Sequence, residues 1–265
     1  IEGAAWASIL GNAAALMIGL SILLLRYPSY LLAWPRRIWD FRPMRRLLQA
    51  NAFLFGRTLC LQFAIFFMLG MVSRMGEAQL AANAVVLQVW GLASFGIDGF
   101  AHAAETLVGN SLGAHRYAEA RKLARRIVVW GLAVGAIFGL VYFVALEDIA
   151  ALFTEHREVI THVGALYWYI ALIQPLNAAV FVFDGILIGA NDMAYMFKAM
   201  VVAAFAIFTP AALVFVFWLD LGLPGAWLAY NGLMLGRFFT LWPRYRSDAW
   251  LRSIVSTEDT GPQRL

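Results

Sequence analysis

Charge is scarce in this sequence. Only 14% of its residues are charged and 62% are hydrophobic, against roughly 25% and 45–50% in ordinary soluble domains. Such a chain cannot cover itself with a solvated surface, which excludes a conventional water-soluble globule. Cysteine occurs once, at Cys60 inside an apolar run, so no disulfide can form within the chain and the thiol reads as a packing residue. The four histidines are too dispersed for a zinc site, and the H-E-x-x-H, G-x-S-x-G and P-loop patterns are missing. Nothing therefore points to an enzyme, a metal or a cofactor. The opening Ile1-Glu2-Gly3-Ala4-Ala5 has neither a basic n-region nor a cleavage site. It reads as an internal start, and the sequence is expected to belong to a longer chain.

What is present is hydrophobic length. A helix needs about 20 mainly apolar residues to cross a bilayer, and seven stretches qualify: 3–25, 51–72, 79–108, 127–146, 162–190, 197–219 and 225–242. The expected fold is an all-α integral membrane protein. Between the spans, residues 26–50 carry six arginines and one aspartate, and residues 109–126 carry five cations and one glutamate. Residues 147–161 reverse the balance, with four acids and one arginine. By the positive-inside rule, 26–50, 109–126 and the tail 243–265 face the cytoplasm, and 147–161 faces outward. The first span then runs inward, and an odd number of spans should precede it. The plasma (inner) membrane is the expected location.

Segment 26–50 mixes Arg36, Arg37, Arg42, Arg45 and Arg46 with Tyr30, Trp34, Trp39 and Phe41, broken by Pro35 and Pro43. Aromatics at the interface and arginines toward phosphates suit a linker on the inner membrane surface; a nucleic-acid-binding arm is the sharper alternative. Small residues four apart, at Gly131, Gly135 and Gly139, at Gly185 and Gly189, and at Gly232 and Gly236, predict close helix approach in lipid. Pro175 and Pro210 fall near the middles of their spans and predict kinks.

Ionisable groups inside spans cost about 2.5–3.5 kcal/mol each on insertion scales and default to functional candidates. Asp98, His102 and Glu105 sit at i, i+4 and i+7 of the third span, hence on one helical face. Asp184 lies in the fifth span, Arg57 in the second and Arg237 in the seventh. Depth places two cations and three carboxylates in the same half of the bilayer, so pairing or water access is required. Gln62, Asn83, Gln174 and Asn177 are supporting polar groups. Two readings stay open: an ion-pair network that holds helices together, or an acid cluster in which one carboxylate lacks an arginine and titrates. His102 is either a proton relay or a satisfied interior histidine.

The run Asp98-Gly99-Phe100-Ala101-His102-Ala103-Ala104-Glu105-Thr106-Leu107-Val108-Gly109-Asn110-Ser111-Leu112-Gly113-Ala114, with Ala118-Glu119-Ala120-Arg121 after it, resembles the end of a spanning helix in MATE exporters, most closely the DinF-type branch. Arg57-Thr58-Leu59 with Gln62, Ala81-Ala82-Asn83-Ala84-Val85, and Phe183-Asp184-Gly185-Ile186-Leu187-Ile188-Gly189-Ala190 agree with it. The resemblance covers about 51–242. It implies one six-helix lobe of a two-lobed, twelve-helix alternating-access antiporter, with residues 1–25 as the last helix of the other lobe, 26–50 as the connecting linker, and the missing lobe as its partner. It further implies export of organic cations, drugs or amphipathic metabolites. Asp98, Glu105, Asp184 and Arg57 match acidic and basic positions of the motif. The acid of the sodium-coupled branch has no counterpart beside Arg57, Cys60 and Gln62, which favours protons over sodium. The rivals are a flippase of lipid-linked saccharides from the same superfamily, which should have a cationic cavity, and a heptahelical receptor, for which no mid-span lysine offers a Schiff base.

Overall fold

The computed structural model describes residues 2–26 and 41–252, and every described span is helical. α1 (Glu2–Arg26) belongs to a first unit, residues 1–47; all that follows Leu47 forms a second. α1 is predominantly apolar, with Ser8 and Asn12 as polar exceptions on one face, and long enough to span a membrane. Tyr30, Trp34, Pro35, Arg36, Arg37 and Trp39, and the tail after Arg252, lie outside the described residues.

The larger unit is a helical bundle made of α2 (Phe41–Val72), α3 (Glu77–Gly113), α4 (Tyr117–Ala151), three short helices α5 (Arg157–Gly164), α6 (Tyr167–Ala171) and α7 (Gln174–Gly189), then α8 (Met193–Trp218) and α9 (Gly222–Arg246). α2 starts at Phe41, ten residues before the expected edge of its span, so the end of segment 26–50 is helical. Pro43 falls in the first turn, where no backbone N–H is needed. α3 and α7 end alike. His115 and Asn191 adopt φ of 56° and 58°, and in each case the next amide bonds back across the turn, Arg116 to the Ser111 carbonyl at 2.8 Å and Asp192 to the Leu187 carbonyl at 2.9 Å. This left-handed cap closes the helix and reverses the chain sharply.

Among the described residues, six helical stretches are long and apolar enough to cross a membrane. The seventh, α9, has 25 residues but carries Asn231, Arg237, Arg244 and Arg246; Asn231 and Arg237 are buried against its neighbours, so lipid never meets them. Large apolar side chains point outward elsewhere, with Phe95 at 79% exposed and Val144 at 74%, the inverted surface of a lipid-embedded bundle.

The prolines act differently from expectation. Pro175 lies at the start of α7, after the fifth span has already broken at Leu172–Ile173, and there its missing N–H costs no bond. Pro210 sits in a short α-helical turn, Thr209–Ala212, between two π-helical stretches, Val202–Phe208 and Leu213–Trp218. The wider turns absorb the proline. A kink occurs in α4, where Ala145 leaves helical geometry at φ −125°, ψ 16°.

The glycine spacing is used for close helix approach, against backbone at some positions and side chains at others. A Cβ at Gly185 would lie 2.1 Å from the Ala101 carbonyl oxygen, and one at Gly189 would lie 2.5 Å from that of Glu105, so α3 and α7 cross in contact. On the other side of α7, Gly131 and Gly135 of α4 meet Val182 and Ala178, and Gly139 meets the Ala171 carbonyl at the end of α6. Gly236 packs on Ile207 and Ala203, whereas Gly232 has nothing nearer than an Ile207 methyl at 3.9 Å.

The end of α9 is docked, not a free tail. Trp250 is buried, its indole N–H donates to the Tyr245 carbonyl at 3.0 Å, and Asp248 pairs with Arg121 at 2.8 Å. At the same end, Arg244 Nε donates to Asp192 Oδ2 at 2.6 Å and its guanidinium covers the Tyr195 ring. The packed helical bundle therefore continues past Trp242 to Arg252.

Candidate functional site

The α3–α7 crossing fixes one wall of a cavity of about 200 Å³. Because Ala101 touches Gly185, the residues flanking each contact open to the same side: Asp98, His102 and Glu105 from α3, and Asp184 from α7. Arg57 arrives on α2 and Arg237 on α9. Residues from four helices, chosen from sequence by depth and helical face, thus line one space.

Within it the charges are distributed unequally. Arg57 Nη2 and Arg237 Nη2 both donate to Oδ2 of Asp184. Arg237 is 3% exposed, lies 5.8 Å from the Phe181 ring centroid, and turns Nη1 to the Met234 sulfur at 3.4 Å. A guanidinium this deep is tolerable only beside its counter-ion. His102 Nδ1 lies 3.6 Å from Glu105 Oε2, with both side chains substantially exposed. Asp98 has no ion-pair partner among the described residues, although His102, Asp184, Arg237 and Arg57 all lie within electrostatic reach. The arrangement therefore holds one clamped carboxylate, one loosely paired and one unpaired.

The supporting polar residues are elsewhere. Gln62 is exposed and does not line the cavity. Asn83 Oδ1 accepts from the Trp227 indole at 3.1 Å, a packing role between α3 and α9. Asn177 Nδ2 faces Gln174 Oε1 at 3.5 Å, and both are buried a turn or more along α7 from Phe181. Sequence reasoning missed Trp90 and Phe181, whose rings lie 6.1 Å apart and line the cavity beside Leu61 and Ile188. Their spacing from Asp98 and Asp184, two helical turns and one turn back, is the signal that would have found them.

A bundle of spanning helices with lipid-facing apolar sides and a charged interior cavity defines part of a membrane transporter. The chain belongs to the MatE family, whose model matches residues 55–214. It is 29% identical over 260 residues to DNA damage-inducible protein F of Escherichia coli, covering 94% of this chain and 55% of that protein. To Protein DETOXIFICATION 43 of Arabidopsis thaliana it is 32% identical over 196 residues, 74% of this chain and 36% of the relative. Among solved structures, the eukaryotic MATE transporter AtDTX14 superposes with a TM-score of 0.82 at 16% identity, over 92% of this chain and 55% of that one. A MATE transporter in complex with MaL6 gives 0.79 at 18% identity, over 94% and 57%. The chain spans from a third to just over half of the curated relatives it matches, as one lobe of a larger transporter would.

Proposed function

We propose that this chain supplies one lobe of a twelve-helix, proton-coupled antiporter of the inner membrane, exporting organic cations, drugs or amphipathic metabolites. The observation that carries the reading is the lone carboxylate: both guanidiniums of the cavity are engaged by Asp184, which leaves Asp98 without an ion pair where substrate and proton can compete for it. Ionised, Asp98 attracts a cation; protonated, it releases one. Binding of either ligand then disfavours the other by the same factor, the reciprocity an antiporter needs. A more acidic exterior favours the protonated, releasing form, and a less acidic cytoplasm favours the ionised, binding form. Glu105 with His102, nearer the mouth, offers a proton a path inward. The paired state of the arginines also weighs against a lipid-linked saccharide flippase, which needs free cations for pyrophosphate. The test is Asp98→Asn in the full-length protein, with membrane insertion checked by fluorescence-detected chromatography. Export driven by a pH gradient should vanish while the protein stays folded. Unchanged export with unchanged pH dependence places coupling elsewhere, and export that follows a sodium gradient alone replaces the proton with sodium.

A further inference from the structure

α4 contributes nothing to the charged cavity, yet two recesses open along one of its faces. The first, about 430 Å³, lies at the start of the helix among Arg121, Lys122, Arg125 and Arg126, with Val129 and Trp130 at its upper rim. The second, about 270 Å³, lies further along, where Ala136, Gly139, Leu140 and Phe143 meet Leu172 and Pro175. Residues 118, 122, 125 and 129 of the first and 136, 140 and 143 of the second recur three, four or seven apart, which places both recesses on the same side of the helix. Their centres are separated by roughly 15 residues, or about 22 Å at 1.5 Å per residue.

The two recesses differ in chemistry in the order a phospholipid does. Of the four cations in the first, only Arg121 has a carboxylate partner among the described residues, Asp248; Lys122, Arg125 and Arg126 are exposed and unpaired. The exposed Trp130 marks the level at which aromatic rings settle between headgroups and acyl chains. Beyond it the face turns apolar, through Ile137 at 60% and Leu140 at 66% exposed. The second recess begins about 9 Å past Trp130 and ends about 20 Å past it, which straddles the midplane, about 15 Å in, of a hydrocarbon core about 30 Å thick. Its floor is fixed by Gly139, where a Cβ would lie 2.7 Å from the Ala171 carbonyl oxygen.

We propose that this face of α4 binds an anionic glycerophospholipid lengthwise, its phosphate held by Lys122, Arg125 and Arg126 and an acyl chain seated in the groove between Leu140, Phe143 and Leu172. The phosphate oxygens receive charge-assisted hydrogen bonds that the planar guanidinium is shaped to give. The chain fills a recess that bulk lipid would otherwise cover imperfectly. A neutral headgroup forfeits the first contact and a free phosphate forfeits the second.

The test uses the full-length transporter, purified from bilayers of phosphatidylcholine and phosphatidylglycerol in equal amounts, with retained lipid counted by native mass spectrometry. Wild-type protein should keep phosphatidylglycerol in preference. Each interfacial cation is worth about fivefold in affinity, so the double variant Arg125→Gln/Arg126→Gln should bind it about 25-fold more weakly. Ala136→Phe, which fills the groove from an exposed position, should weaken binding of long-chain phosphatidylglycerol and leave the dihexanoyl form unaffected. Thermal stabilisation by inorganic phosphate as large as that by the lipid would make this a free-anion site and overturn the proposal. Equal retention of the two lipids, or an unchanged double variant, would reduce the cations to an ordinary solvated helix end.

Discussion

Arg57 and Arg237 share one acceptor, the Oδ2 atom of Asp184. Two guanidiniums side by side repel unless the carboxylate lies between them, so the acid is the keystone through which α2, α7 and α9 are joined.

Asp184→Asn should therefore destabilise the lobe more than Arg57→Gln, because it leaves two cations facing each other. Removing one partner of a buried pair costs about 3–5 kcal/mol, and Arg237→Met should fall in that range, since the side chain is 3% exposed. Thermal inactivation of the detergent-solubilised full-length protein measures it. An Asp184→Asn variant with wild-type stability would show that the three groups are hydrated in the membrane and the clamp is weak.

Orientation can be read by labelling, since the single cysteine, Cys60, is buried. Cysteine at His115, exposed in the turn after α3, should react with an impermeant maleimide only when added from the cytoplasmic side, and cysteine at Glu155, exposed between α4 and α5, only from outside. The warrant is the charge excess of five cations to one acid against four acids to one cation in the two connections. The reverse labelling pattern inverts the topology.

Two glycine substitutions should differ in sign of consequence. Gly185→Ala drives a methyl into the Ala101 carbonyl, a backbone contact that cannot yield locally, and overpacking of this kind costs typically about 1–3 kcal/mol or more. Gly232→Ala meets only a methyl at 3.9 Å and should be neutral or stabilising, as alanine favours the helix by about 0.8–1.0 kcal/mol. Unfolding midpoints of both variants that shift equally would mean that the α3–α7 crossing is looser than its geometry.

Legibility from sequence followed helical periodicity. The face shared by Asp98, His102 and Glu105 came directly from the 3.6-residue repeat, and the glycine spacing foretold the close crossings. What periodicity cannot supply is azimuth between helices: nothing local says that Arg57 and Asp184, 127 residues apart, point at one another, or that both arginines choose the same acid. Gln62 is polar and lies at a plausible depth, yet its side of α2 faces outward. Trp90 and Phe181 escaped because an aromatic lining a cavity reads like one facing lipid. The fifth span was taken as continuous with Pro175 as its kink, whereas the chain breaks before the proline and restarts with it. The terminal turn that buries Trp250 was read as tail because hydrophobic length ends at Trp242.

α7 is held on two sides by close contacts: backbone carbonyl oxygens of α3 on one flank, and on the other the glycines of α4 against Val182, Ala178 and the backbone of Gln174 and Pro175. A seam made of backbone and short side chains offers few alternative rotamers, so α3, α4 and α7 are expected to move together as a single plank. α2, α8 and α9 meet largely through aromatic and aliphatic groups, such as Phe63 on Phe205 and Ile207 on Gly236, which can repack in small shear steps. In the proposed antiport cycle, changes of shape would fall to these helices, with the proline-interrupted α8 as the compliant member. Asp184 sits on the plank and both of its arginines on the other set of helices, so in that proposed cycle each shift between the two sets would pull on the ion pair.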